Sequence, residues 1–536
     1  MRAEKLTMAF RQRLPRLEKN QQASHGRLLV QFRLAVTMGG IVLLLGLVGL
    51  LIPLITPIAL PTFDVTKMDR ILLASTPYLW ALGIAVLALA TIISVRADEL
   101  AVMIVVATRI YVDWYLGLAI LGQIITVLLL LLFFTTRSTY KAWAEPPMLW
   151  LWGLFLAFAL LPAFMGLTLS DGLSYYLDVV FGAFIFFWLG TSIGRDVASV
   201  RRLFKLLSLL GTLIALHALL EATTGIFLFK DGRHDLFLTT VAGNYALGQS
   251  GVFRVDSFFA NPDTSGGFFA AMLFLPLGLF FESRSPFEKT LYGVEFALMV
   301  LALFFTYSAG GLLTAGATFV IFVAFVGRIH YGLLLPLLGG VVVFVLLLCF
   351  PLQFGLLLQH AVAPGEVSLR LAGWQTGLRV IQAFPLTGIG LGYYVYYERA
   401  NPYRSPAEFI HLFHPHNSYL ELAALGGIPL LVIFLAIMLG IARLALHNWA
   451  LANASTRALL GGGLALAVSL SFNSVANPAW TLPPLACSGW IILGAISSPL
   501  LTRDLKTKEQ GAKWEKEAQS IMVTGIATAK DLSCLS

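Results

Sequence analysis

The chain has 536 residues, of which 58% are hydrophobic and only 12% charged, and its mean hydropathy is +0.83. Soluble proteins carry charge on about a quarter of their residues, so this balance excludes an ordinary water-soluble fold and describes an integral membrane protein. The net charge of +8 does not indicate nucleic acid, because the basic residues sit at the ends of apolar runs and in the termini, where positive-inside bias and anionic membrane lipids account for them.

The first 32 residues are polar and basic, with Arg2, Lys5, Arg11, Arg13, Arg16, Lys19 and Arg27, and are expected to form a cytoplasmic segment rather than a cleavable leader. Beyond them, runs such as "GGIVLLLGLVGLLIPLI" and "GLLLPLLGGVVVFVLLLCF" approach the roughly 20 residues that span a bilayer as a helix. A transmembrane barrel would show short alternating segments instead. The expected fold class is all-α, a polytopic membrane protein with about 12–14 transmembrane helices over residues 33–502 and a cytoplasmic tail over 503–536.

Spans are expected at 35–58, 72–95, 114–135, 148–168, 176–194, 203–223, 264–282, 290–308, 310–328, 331–354, 428–446, 457–476 and 482–501. The short basic segment with Arg195, Arg201, Arg202 and Lys205 belongs on the cytoplasmic side with the N-terminus. Five spans separate the two, and a shared side requires an even number. Either "RADELAVMIVVATRIYVDW" hides an extra helix or one early span is false. Downstream, parity places residues 224–263 and 355–427 outside, in loops long enough to carry function, and returns the lysine-rich tail to the cytoplasm. Cys349, Cys487 and Cys534 are scattered and suggest neither a disulfide framework nor a thiolate metal site.

The first external loop contains "GVFRVDSFFANPDTSGG". Asn261-Pro262-Asp263 reads as a turn, whereas Arg254 lies among phenylalanines, where a guanidinium needs an anion. In the second loop Arg370, Trp374, Leu378 and Ile381 recur at helical spacing, an amphipathic interfacial helix with Trp374 as anchor. Pro385 ends it. Gly388, Gly390 and Gly392 form a tight turn rather than a dinucleotide site, since no strand–helix unit surrounds them. Arg379 reads as a side chain snorkelling toward headgroups.

The stretch "HLFHPHNSYLELAALGG" puts His411, His414 and His416 ahead of Ser418-Tyr419-Leu420-Glu421, which has the form of a capping box. Pro415 keeps the three histidines off a common helical face, against a helical zinc motif. His411 and His414 read as interfacial side chains. His416 directly precedes a helix N-terminus, where exposed N–H groups attract anions and favour a neutral imidazole, the form that acts as general base.

These residues resemble the O-antigen ligase and polysaccharide polymerase superfamily. "HPHNSYLELAALGGIPLL" is similar to its signature, with His416, Asn417 and Gly427. "FRVDSFFANPD" is similar to its arginine-bearing segment, and "RLAGWQTGLRVIQAFPLTGIGLG" to its glycine-rich loop segment. The resemblance covers roughly residues 200 to 445. Ser308-Ala309-Gly310 departs from the Ser-Arg-Gly often found there, so an anion contact at that position is missing, and Leu430 stands where ligases often have threonine. The resemblance implies a GT-C-like glycosyltransferase of the bacterial inner membrane that moves a glycan, with inversion, from a polyprenyl-pyrophosphate donor to a lipid or glycan acceptor at the periplasmic face. It implies no metal and no cofactor, His416 as the catalytic base, and Arg254, Arg370 and Asn417 as substrate-binding residues.

Two other classes compete. A lipid-linked glycan flippase or secondary transporter would place ionisable groups near the bilayer midplane, and His217, Glu221 and Glu295 are the candidates, with a structural hydrogen-bonded pair as the plainer reading of the first two. A metal-dependent transferase would need paired acidic residues outside, and Asp256, Asp263, Glu366, Glu398 and Glu408 show no tight pair in sequence.

Overall fold

The structure, a computed structural model, describes residues 106, 107, 109, 110, 145–224, 254–259, 261–326, 346–361, 364–408 and 411–511. The chain forms two compact units, Met1–Ile104 and Val105–Ser536, and the described residues belong to the second. Within it the regular elements among the described residues are all helical. In order they are α1 (Leu149–Phe164), α2 (Leu169–Tyr175) continuing through the π-helical stretch Tyr176–Phe181 into α3 (Gly182–Ile193), and α4 (Val197–Thr224). Next come α5 (Pro262–Met272), α6 (Phe274–Glu282), α7 (Pro286–Phe305), α8 (Ala309–Val326), α9 (Pro351–Ala361), α10 (Pro364–Ala383) and α11 (Val395–Arg399). The last three are α12 (Ser418–Leu451), α13 (Ala454–Ala476) and α14 (Pro483–Ile496).

Six stretches among the described residues are long and apolar enough to cross a membrane: Leu169–Ile193, Val197–Ala222, Pro262–Glu282, Ser418–Leu451, Ala454–Ala476 and Pro483–Gly511. The expected spans at 176–194, 203–223, 264–282, 428–446, 457–476 and 482–501 fall on these. The spans expected at 148–168 and 310–328 are the shorter apolar helices α1 and α8. The one expected at 290–308 is α7, which also carries Glu288, Lys289 and Glu295. The expected spans 35–58, 72–95 and 114–135 and most of 331–354 lie outside the described residues.

Helix starts are set by side-chain caps. Asn261 accepts from the backbone N–H of Asp263 (2.8 Å) and Thr264 (3.2 Å) with Pro262 at the first turn, so Asn-Pro-Asp is a helix start rather than a free-standing turn. Asn453 caps α13 in the same way through Thr456 N–H at 2.9 Å. Small residues then allow close packing between apolar helices, which gain no hydrophobic driving force from lipid. A Cβ on Gly278 or Gly462 would press on the other's helix backbone, as would one on Gly190 or Gly494.

Short connections make successive helices antiparallel, and this sorts their ends. One end of the unit collects the starts of α5, α8, α12 and α14 with the finishes of α4, α7 and α13. The other end collects Arg201, paired with Glu282, and Lys205, whose Nζ lies 2.9 Å from Glu288 Oε1. Ser455 Oγ closes it by donating to the Glu282 carbonyl at 2.9 Å.

Candidate functional site

At the first of these ends, two arginines far apart in the chain meet one carboxylate. Asp263, in the first turn of α5, accepts from Arg254 Nη2 at Oδ1 (2.6 Å) and from Arg370 Nη2 at Oδ2 (2.9 Å). Arg254 is buried and also donates Nε to the Thr306 carbonyl at 2.9 Å, while Val255 N–H bonds to Phe305 O at 3.1 Å. The last turn of α7 therefore fixes the arginine's backbone and side chain together. Arg370 Nη1 reaches within 4.0 Å of where a Cβ on Gly310 would stand. The Arg370 guanidinium, arriving from α10, thus lies beside the Ser308-Ala309-Gly310 segment that lacks an arginine of its own.

The face that α10 turns inward differs from the stripe read in the sequence. Ala372, Gly373, Thr376, Gly377 and Val380 are buried, whereas Leu378 and Arg379 are exposed and Arg370, Trp374 and Ile381 lie in between. The reason is close approach. A Cβ on Gly373 would meet Leu412 at 2.7 Å, and one on Gly377 would meet Pro415 at 3.4 Å, so the histidine loop rests on a groove of small residues. The Trp374 indole N–H is turned inward rather than toward headgroups, and Arg379 donates to the Arg404 carbonyl at 3.0 Å. Thr376 Oγ1 (2.5 Å) and Leu412 N–H (3.0 Å) both bond to the buried Glu408, which also pairs with Arg404. These contacts pin the loop against α10.

His416 has φ +51°, a left-handed conformation that a non-glycine residue adopts only when its surroundings enforce it. His414 helps enforce it: its Nδ1 accepts the His416 backbone N–H at 3.2 Å, and the two rings meet edge to face at 4.4 Å. A nitrogen that accepts must be unprotonated, so His414 is neutral here, and burial with the neighbouring His416 holds its pKa well below the ordinary histidine value. His414 is half-buried and holds the backbone of His416, a contact that its reading as an interfacial side chain did not include. His411 is exposed, with its ring 6.1 Å from that of Tyr397.

Burial first, and then the positive charge of Arg370, lower the His416 pKa to about 4, against the opposing pull of Asp263 and Glu408. Its imidazole is neutral at physiological pH. Nδ1 is buried without a hydrogen-bond partner among the described residues, while the residue as a whole is half-buried. Asn417 is the true cap of α12, accepting from Tyr419 N–H (2.9 Å) and Leu420 N–H (3.0 Å) while its Nδ2 donates to Val475 O at 3.0 Å. The capping-box reading of Ser418 and Glu421 is corrected. Ser418 Oγ accepts from Trp480 N–H at 3.0 Å. Glu421 takes the Tyr175 hydroxyl at 2.9 Å and the Thr481 hydroxyl at 2.7 Å.

Gly427 has φ +82° and breaks α12, and Pro429 follows without an N–H. The carbonyls released by the break are taken up by the glycine-rich turn: Ile389 N–H bonds to Ala424 O (2.9 Å) and Gly390 N–H to Leu425 O (3.0 Å). Ile428 N–H answers with Pro385 O at 2.8 Å. The G-x-G-x-G run is thus a backbone clasp on the broken helix, which explains why the histidine segment and a glycine eleven positions after His416 belong together.

Sequence reasoning missed the polar groups buried beneath the site. Arg109 Nη2 bonds to Asp178 at 2.6 Å, and Tyr393 OH donates to the other carboxylate oxygen at 2.8 Å. A charge inside an apolar run is the signal that could have found them. His217 and Glu221 do pair, 3.6 Å apart, but both also hold Ser257, through its hydroxyl (3.0 Å) and its N–H (2.8 Å). Among the described residues no group of three or more His, Cys, Asp or Glu is arranged to hold a metal ion.

Residues 295–435 match the family model described as O-Antigen ligase. The matched segment contains Arg370, His416, Asn417 and Gly427, while Arg254 and Asp263 precede it. No curated protein matches the chain.

Proposed function

From the premise that residues 295–435 carry an O-antigen ligase domain, we propose that this chain is an inverting glycosyltransferase. It moves an oligo- or polysaccharide from a polyprenyl-pyrophosphate carrier to a hydroxyl of a lipid or glycan acceptor, without a metal, at the periplasmic face of the bacterial inner membrane. The observation that carries this reading is the meeting of a buried neutral imidazole, His416, with Arg370 and the paired Arg254 at one end of an apolar helical unit.

In this reaction the acceptor oxygen attacks the anomeric carbon as its proton passes to His416 Nε2. The bond from that carbon to the pyrophosphate oxygen breaks with its electron pair, and the configuration inverts. Pyrophosphate is a good leaving group, so the protein's task is to hold growing negative charge and accept one proton. Forked donors on Arg254 and Arg370 suit phosphate oxygens. Asn417, at the junction between His416 and α12, keeps the base in place by capping the helix with its Oδ1 and tying its Nδ2 to Val475 O. Bound pyrophosphate beside His416 raises its basicity from about 4 toward working pH. Sidedness is supported by the basic residues Arg201, Arg202, Lys205, Arg457, Lys506 and Lys508, which gather at the opposite end or beyond it. The transporter reading gains nothing from His217 and Glu221, since both are engaged by Ser257.

The test uses the purified chain in nanodiscs with a lipid-linked glycan donor and an acceptor, in the presence of a chelator. Release of polyprenyl pyrophosphate together with a new glycosidic bond of inverted configuration is expected. Donor that crosses the bilayer unchanged, or transfer that stops with chelator and returns with a divalent cation, would overturn the proposal.

A further inference from the structure

We infer that Asp263 is a positioning residue of the donor site, its carboxylate tying Arg254 and Arg370 into one anion-binding unit that grips pyrophosphate only while the tie is intact. This rests on the pyrophosphate reading above and assigns a role to a residue outside the matched domain. The two arginines lie nine and 107 positions from Asp263 in the chain, on unconnected elements. The carboxylate bridges them, each through Nη2, one to each oxygen.

Arg254 is also held at Nε by Thr306 O and its side chain is 9% exposed, whereas the Arg370 side chain is 23% exposed. Asp263 accepts directly from Arg370 Nη2 and so bears on where that more exposed guanidinium points. A guanidinium has five N–H donors in a rigid plane, so fixing one Nη2 orients the whole fork without exhausting it. Helix initiation does not require this carboxylate, because Asn261 already takes the Asp263 and Thr264 N–H groups and Pro262 sets the first turn. Two guanidinium charges against one carboxylate leave a net positive unit, suited to a polyanionic headgroup. Arg370 is also the cation that acts on His416, so the same tie keeps the leaving-group site in register with the base.

The experiment is a double-mutant cycle on the full chain in nanodiscs, with binding of inorganic pyrophosphate measured by calorimetry. Asp263→Asn retains the side-chain shape and loses the charge, and is expected to weaken pyrophosphate binding about 10-fold or more, as coupled charge pairs do when one partner is removed. In an Arg370→Ala background the same substitution should change binding by less than about two-fold, because the group it acts through is gone. An effect of equal size with and without Arg370 would make Asp263 merely structural and overturn the inference. So would unchanged or tighter binding by Asp263→Asn. Where that variant fails to accumulate, Asp263→Glu replaces it, with a smaller loss expected that also vanishes without Arg370. If the wild type itself binds no pyrophosphate, the donor reading falls and takes this inference with it; if the wild type binds and the cycle is additive, only this inference falls.

Discussion

Replacing Gly427 with alanine tests whether the break in α12 is the fastening point of the histidine-bearing loop. At φ +82° a Cβ faces the Leu386 carbonyl group on the neighbouring turn. With ψ at 165° this is a region essentially reserved for glycine, and holding an L-residue there costs about 1–3 kcal/mol. Relieving the contact separates Ile428 N–H from Pro385 O and loosens the bonds from Ile389 and Gly390, each contributing about 1 kcal/mol. The sum, about 2–6 kcal/mol, corresponds at about 2 °C per kcal/mol to a melting point lower by about 4–12 °C. A thiol-reactive dye in detergent reads it, because Cys487 is buried and becomes reactive when the unit opens, above the steady signal of exposed Cys349. Gly355→Ala, at a helical glycine with nothing within 4 Å of the added carbon, is the control and should melt with or slightly above the wild type. If Gly427→Ala melted with the wild type, the clasp would not be a fastening and the reasoning would be refuted.

Removing the base by His416→Ala should reduce transfer by about 10²–10⁴-fold, with lipid-linked donor accumulating in cells while membrane levels of the protein stay normal. With His416 as the proposed base, active only when unprotonated, and its pKa lowered to about 4, kcat/KM should hold as pH falls below 6 and decline only as pH approaches 4. A decline centred at the ordinary histidine value, near 6.5, would assign the titration to another group. Lysine at Arg370 keeps the charge and loses the fork, so Arg370→Lys should retain more transfer than Arg370→Ala and less than the wild type; equal activity of both variants would reduce the residue to generic anion attraction. His414→Ala should lower transfer clearly, since it removes the acceptor for the His416 N–H, whereas His411→Ala should leave it nearly unchanged, a difference read in one complementation series.

Apolar periodicity alone determined that the chain is a bundle of membrane helices, and where most described helices lie, because a span must satisfy its backbone internally and needs about 20 apolar residues to do so. The unusual local chemistry of His416, Arg254 and Arg370 was also legible, since charge and imidazole are rare in such a composition. What the sequence could not determine was their relation. Asp263 reads locally as part of a turn, and only the packing of α5 against α7 and α8, with Arg370 reaching in from α10, brings its carboxylate to two arginines. Glu421 fits a capping box by spacing, yet α2 and the start of α14 bring Tyr175 and Thr481 to it, and Asn417 takes the cap. Gly388, Gly390 and Gly427 are each a plain breaker in sequence. Their common purpose exists only where two stretches of backbone approach closely enough to exchange hydrogen bonds. Local pattern records what a segment can do with its own neighbours in the chain; contacts between residues a hundred positions apart are decided by which small faces allow helices to meet.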